Sequence, residues 1–207
     1  HPKKLKPEMT LESLYLDPLK EHIARHNGHV YPNYDGSFYL MIDFKTAAEP
    51  SYNKLKSVLK DYISMLSVVK DGKEKQRPVK IFISGNRPFK QILDDEPKLA
   101  GLDGRPGELD KDIPAAAMPV VSDHYFNILS WTGEGKIPEK ELETFKKLVK
   151  QTHSQGKKLR LWAAPDIPVV WRFLLEHEVD LINTDRLAAF RKFYMQHNAL
   201  QKEHSTD

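Results

Sequence analysis

Cysteine is absent from the chain. Disulfides, thiolate nucleophiles and cysteine-held metals are therefore excluded within it, and the redox compartment is left open. No apolar run approaches the roughly 20 residues of a membrane-spanning helix. No signal-peptide pattern is visible, which says little of a processed or shortened form. An excess of one charge is also missing: 32 Lys and Arg stand against 29 Asp and Glu, a net charge of +3. A nucleic-acid partner, which asks for a basic stripe, is not expected. There is no internal repeat and no low-complexity tract.

What is present is enough chain, 207 residues, for one domain with a real core. Its organising stretch is Phe38-Tyr39-Leu40-Met41-Ile42-Asp43-Phe44-Lys45-Thr46. Short, aromatic-rich and bounded by Gly36 and Pro50, it reads as a buried strand. Side chains at i and i+2 share a strand face, so Asp43 and Lys45 point the same way. An acid and a base at such a strand end sit where α/β proteins keep their chemistry. The plain alternative is an ion pair closing the strand.

Further strands are expected at Val79–Ile83, Leu99–Leu102, Leu159–Ala163 and Val179–Asn183. Asp17-Pro18 predicts a capped helix start ending at Asn27-Gly28. Leu55, Val58, Leu59, Tyr62 and Leu66 follow helical spacing, as do Leu142, Phe145, Leu148 and Val149 after Pro138. Trp171, Leu174 and Leu175 mark another helix, with Trp171 as core. Lys70–Arg77 reads as a solvated charged turn, Glu108–Val121 as mostly loop, and Asp123–Trp131 as either helix or strand. His22 and His26 have the i, i+4 spacing of zinc ligands, but no third ligand is evident and solvated histidines are the reading. Strand alternating with helix is the pattern of a parallel α/β fold. Each strand ends in polar residues: Asp43 and Lys45, Asn86 and Arg87, Asp103 and Arg105, Trp162 and Asp166, Thr184 and Asp185. In a (β/α) barrel such ends meet at one mouth. Five strands fall short of the eight that a barrel of roughly 250 residues needs. Either the sheet is smaller and open, or three strands precede His1. Residues 1–200 are expected to form this single partial barrel domain and 201–207 a polar tail.

Taken in order, Ile42-Asp43-Phe44-Lys45, Asp103-Gly104-Arg105, Leu161-Trp162 and Asn183-Thr184-Asp185 resemble the motif order of the glycerophosphodiester phosphodiesterase and phosphatidylinositol phospholipase C-like barrel superfamily. The D-x-K strand end and the late Trp are similar to its sphingomyelinase D branch. The chain matches the last five strand-helix units of that TIM-type barrel. The resemblance implies a metal-dependent phosphodiesterase acting on glycerophosphodiester or phospholipid-type substrates, exported from the cell, with a further N-terminal segment completing the barrel. It makes His1 the second of two acid/base histidines, Asp43 a ligand of Mg²⁺ or Ca²⁺, and Lys45 the phosphate-contacting lysine. Trp162 would wall the substrate pocket. The first catalytic His and the E-x-D metal pair of the family have no counterpart in this sequence.

The chemistry implied is coherent. A hard divalent cation takes oxygen ligands and can polarise a phosphoryl oxygen. Lys45 would set positive charge where it accumulates in the transition state, and a histidine moves protons near neutral pH. Arg87 and Arg105 are candidates for bidentate phosphate contacts; salt bridges between strand ends would use them equally well. Arg160 shares a face with Trp162 and reads as structural, paired with an acid such as Asp103. A second reading of the whole is a catalytically inactive barrel that binds phosphorylated or lipid-like ligands. A third is an unrelated open α/β domain with an interaction role.

Overall fold

Residues 6–204 are described by a computed structural model, with side chains up to residue 199. The chain divides into two compact units, His1–Asp103 with Ala116–Met118, and Gly104–Ala115 with Pro119–Asp207.

In the first unit a π-helical turn, Glu12–Leu16, runs straight into α1 (Asp17–Arg25). Asp17 does not cap this helix as expected. Its carboxylate accepts the Tyr62 hydroxyl at 2.5 Å instead, so the helix starts earlier, at a turn tied by Ser13 N–H to Thr10 Oγ1. β1 (Phe38–Phe44) and α2 (Ala48–Leu59) follow, with Tyr52, Leu55 and Leu59 buried. The charged stretch read as a turn is a small antiparallel hairpin, β2 (Val68–Lys70) and β3 (Lys73–Lys75). Asp71 and Gly72 at its tip both have positive φ, 51° and 69°, as a tight hairpin turn demands.

β4 (Val79–Gly85) is almost continuously buried, because it pairs on both sides. It runs parallel to β1, from Phe38 opposite Val79 to Phe44 opposite Gly85. After α3 (Phe89–Asp94) comes β5 (Gly101–Gly104), parallel to β4 with Ile83 opposite Leu102. The expected strand Leu99–Leu102 is thus displaced toward its polar end. Ile81, Ile83 and Leu102 fill one face of this sheet and are at most 2% exposed. The other face carries Asp43 and Ser84 side by side, with Asp103 hydrogen-bonded to Ser84.

The second unit opens with a 3-10 turn, Pro106–Lys111, and then β6 (Val120–His124). This strand settles the ambiguous stretch: strand through His124, then a 3-10 turn Tyr125–Asn127. α4 (Glu139–Ser154) buries Phe145, Leu148, Val149 and Thr152 at helical spacing. Gly156, at φ 67°, ends it. β7 (Lys158–Trp162), α5 (Pro168–Glu176), β8 (Leu181–Ile182) and α6 (Leu187–His204) complete the chain. β6, β7 and β8 are parallel neighbours in that order. β8 is much shorter than the expected Val179–Asn183, since Asp180 uses its carboxylate to accept Leu159 N–H at 2.8 Å. α6 continues past Leu200, where a polar tail was read.

The fold is α/β, with six parallel strands among the described residues rather than the five expected, besides the hairpin. Within each unit strand order follows chain order. No helix among the described residues is long and apolar enough to cross a membrane.

Candidate functional site at the strand ends

Asp43 lies at the C-terminal end of β1, directly opposite Ser84 of β4. Its Oδ2 accepts Lys45 Nζ at 2.7 Å, and the two side chains are 37% and 64% exposed. The expected same-face acid and base are therefore in contact and open to water. Gly85 sets the position of the acid. Its φ is 70°, and a Cβ there would overlap both Asp43 Oδ1 and the Phe44 carbonyl. Only glycine lets the end of β4 come this close to the carboxylate.

Ser84 Oγ donates to Asp103 Oδ2 at 2.6 Å, and Asp103 is fully buried. Arg87 Nη1 donates to the Asp103 carbonyl at 2.6 Å and its guanidinium lies 5.8 Å from the Phe89 ring centroid. Asn86 links neighbouring turns, donating from its backbone to Phe44 O at 2.9 Å and from its side chain to Thr46 O at 3.0 Å. The first unit thus brings Asp43, Lys45, Ser84, Asp103 and Arg87 to the ends of three adjacent strands. Ser84 and Gly85 belong to the polar strand end Ser84-Gly85-Asn86-Arg87 that the sequence shows, but of these four only Arg87 is a sequence-predicted site residue; Ser-Gly after an apolar run was the available signal.

In the second unit Arg105 donates from Nη1 to Gly104 O at 2.8 Å, while its backbone N–H is held by Glu108 at 2.8 Å. Trp162 ends β7 opposite His124, the last residue of β6, and is 40% exposed. The two rings meet edge-on with centroids 4.3 Å apart, and Phe126 extends the cluster 5.8 Å from His124. Phe126 N–H donates to His124 Nδ1 at 3.1 Å, which leaves the proton of the neutral ring on Nε2. His124 and Phe126 went unassigned because β6 itself was not recognised.

Asp166 is a structural hub. It accepts Trp171 Nε1 at 2.9 Å, Thr184 Oγ1 at 2.6 Å and Asp185 N–H at 2.9 Å. Burial alone would raise its pKa, but these bonds together outweigh it and hold the carboxyl below its ordinary value. Thr184 and Asp185 therefore bind a turn of their own unit, and Asn183 accepts Arg160 Nη2 at 2.5 Å. Within its own unit Arg160 is thus tied to a strand-end amide, in keeping with a structural role.

His1 lies outside the described residues. Among the described residues no group of three or more His, Asp or Glu is placed to hold a metal ion. Asp43 offers one carboxylate, already engaged by Lys45, and a divalent ion needs several oxygen ligands. The described residues do not by themselves make a Mg²⁺ or Ca²⁺ site. The His22 and His26 rings lie 4.1 Å apart, tilted at 56°, with His26 Nδ1 bonded to the His22 carbonyl at 2.8 Å. Two clefts, of about 580 and 510 Å³, are lined by α4 with the end of α5 and by the Arg25–Asp35 loop, and no predicted site residue lines either.

Comparison of the chain with protein-family models, curated proteins and solved structures finds no match.

Proposed function

We propose that the chain is the C-terminal part of a TIM-type (β/α) barrel phosphodiesterase acting on glycerophosphodiester or phospholipid-type substrates. The observation that carries this reading is the Asp43–Lys45 pair: an acid and a base in contact at 2.7 Å, open to solvent at the end of a parallel strand. Rigid strand ends hold charged groups better than loops do, and parallel α/β folds place their chemistry there. Lys45 supplies a fixed positive charge for the phosphoryl oxygens, and Asp43 contributes one anionic oxygen ligand toward Mg²⁺ or Ca²⁺. The remaining ligands and one acid/base histidine belong, in this reading, to strands outside these 207 residues. His1 is the proton-transferring group of this chain, and Trp162, Arg87 and Arg105 are substrate contacts.

The reading is tested on a polypeptide that supplies those strands, by its cleavage of bis(p-nitrophenyl) phosphate and of a lysophospholipid with Mg²⁺ or Ca²⁺. Metal-dependent cleavage lost in Lys45→Ala supports it. Absence of any cleavage under both ions refutes it. One observation favours the second reading, a non-catalytic binder of phosphorylated or lipid-like ligands: Lys45 already neutralises an oxygen of Asp43. A phosphodiester that binds without turnover would select it.

A further inference from the structure

The second unit holds a cleft of about 580 Å³ between α4 and the end of α5, a size that suits a small molecule. Lys146, Lys150 and His153 line one wall; spaced four and three residues apart, they share one face of α4. Glu176, His177 and Glu178 line the other, where α5 ends. One wall is therefore basic and the other acidic. Lys146, Lys150, Glu176 and Glu178 are exposed, and among the described residues none of the four has a hydrogen-bond or ion-pair partner. Each wall is electrostatically unfavourable by itself. The two lysines lie one helical turn apart with the same sign, which weakens a helix. The two glutamates add negative charge where the α5 carbonyls already place it, and the last turn of α5 carries no base to offset them. Glu178 also has a φ of 60°, at the helix-ending position that glycine fills most easily. Its N–H donates to Leu175 O at 3.1 Å and that of Val179 to Leu174 O at 2.9 Å. A glycine would allow both bonds with less strain. Local stability explains none of these three choices, and such departures collect at sites kept for function.

We propose that this cleft binds a short peptide with free termini, its carboxylate on the lysine wall and its ammonium on the glutamate wall. Charge selects the occupant. An anion alone leaves the two acids unmatched, and a cation alone leaves the two lysines unmatched. A zwitterion answers both walls with charge-assisted hydrogen bonds. Spacing selects among zwitterions. The two walls do not pair with each other, so the charges of the ligand must stand apart, as at the ends of two or three residues of roughly 3.5 Å each rather than on a single amino acid. The histidines suit the peptide backbone between those ends. His177 Nδ1 donates to Phe173 O at 2.9 Å and His153 Nε2 to Asp180 Oδ2 at 2.8 Å. The neutral form of each ring therefore keeps one nitrogen lone pair that can accept a peptide N–H. The His177 ring is held by Phe173 and Phe145, with centroids 4.3 and 5.7 Å away, so its acceptor is already positioned.

The site uses only residues of the second unit and does not rest on the phosphodiesterase reading. Its test is isothermal titration calorimetry of the 207-residue chain with trialanine at neutral pH. Trialanine with free termini should bind. N-acetyl-trialanine, trialanine amide and free alanine should each bind about tenfold or more weakly, because each lacks one terminal charge or the span to use both. The double variant Glu176→Gln, Glu178→Gln should weaken trialanine by a similar factor and leave N-acetyl-trialanine unchanged, since the ammonium that the acids hold is already gone. The double variant Lys146→Gln, Lys150→Gln should weaken trialanine likewise and leave trialanine amide unchanged. Without peptide, both double variants should melt at or above the wild-type temperature, because each removes an unfavourable charge arrangement. The inference is overturned by the absence of any heat of binding at about 10 mM trialanine. It is equally overturned by a blocked peptide or alanine that binds as well as trialanine, or by unchanged binding in either double variant. A lower peptide-free melt in the glutamate variant would also overturn it, since the acids would then serve the fold.

Discussion

Gly85 decides whether the acid at the end of β1 can stand where it does. Its left-handed backbone and the overlap awaiting any Cβ make Gly85→Ala costly for two independent reasons. Replacement should destabilise the protein by about 1–3 kcal/mol, read as a lower urea midpoint with unchanged slope. It should also disturb the Asp43–Lys45 contact, visible as a changed carboxylate resonance for Asp43. A wild-type midpoint would show that the two strand ends are looser than described. Asp166 provides a second residue-scale test. Its folded pKa is depressed below the ordinary 3.8, so its bonds add stability above that pH and lose it as pH falls through the folded value. Asp180, also depressed because bonds from Leu159, His153 and Lys158 outweigh burial, contributes with the same sign. Melting temperature should therefore drop below about pH 4. Asp166→Asn should flatten part of that drop and cost about 1–3 kcal/mol at neutral pH, because its amide nitrogen cannot accept the Asp185 N–H. An identical acid profile in the variant would remove Asp166 from the account.

At the scale of elements, α4 contains one polar misfit. Thr152 is fully buried on the stripe of Phe145, Leu148 and Val149, and its hydroxyl has no hydrogen-bond partner among the described residues. Thr152→Val keeps the shape and deletes an unsatisfied group, so it should raise stability by about 1 kcal/mol in a thermal or denaturant melt. A loss of that size would mean that the hydroxyl is hydrogen-bonded in solution. α4 itself was legible in the sequence, since its apolar spacing and the Gly156 stop are local signals. β1 and β4 were legible as well, being long apolar runs. β6 was not. Val120-Val121-Ser122-Asp123-His124 holds only two apolar residues after Pro119, and its strand character comes from five register pairs with β7, residues far away in sequence. β8 was overread for the converse reason: Val179-Asp180 looks strand-like, yet Asp180 is drawn away to the Leu159 amide and to His153.

Across the whole molecule, residue order carried the candidate chemistry farther than it carried the roles. Asp43 and Lys45 could be placed on one face from strand periodicity alone, and they do meet. The Asn183-Thr184-Asp185 segment, which entered through resemblance, turns out to serve the fold: Thr184 and Asp185 clamp Asp166, and Asn183 accepts Arg160. No periodicity could have shown that, because the clamp joins two turns across a helix. Trp171 likewise is core, as its spacing implied, but it also spends its N–H on Asp166.

The central claim is that Asp43 and Lys45 act on a phosphodiester with the help of a divalent ion, and a metal titration of two variants separates their roles. In the longer polypeptide, Asp43→Asn should lower bis(p-nitrophenyl) phosphate cleavage by at least about a hundredfold and recover in part as Mg²⁺ or Ca²⁺ is raised, since it removes one ion ligand. Lys45→Ala should fall by about 10²–10³-fold with no rescue at any ion concentration, because it deletes only charge facing the phosphoryl group. Both variants should melt near the wild-type temperature, the pair being largely exposed. Wild-type turnover by Asp43→Asn without added metal would contradict the claim.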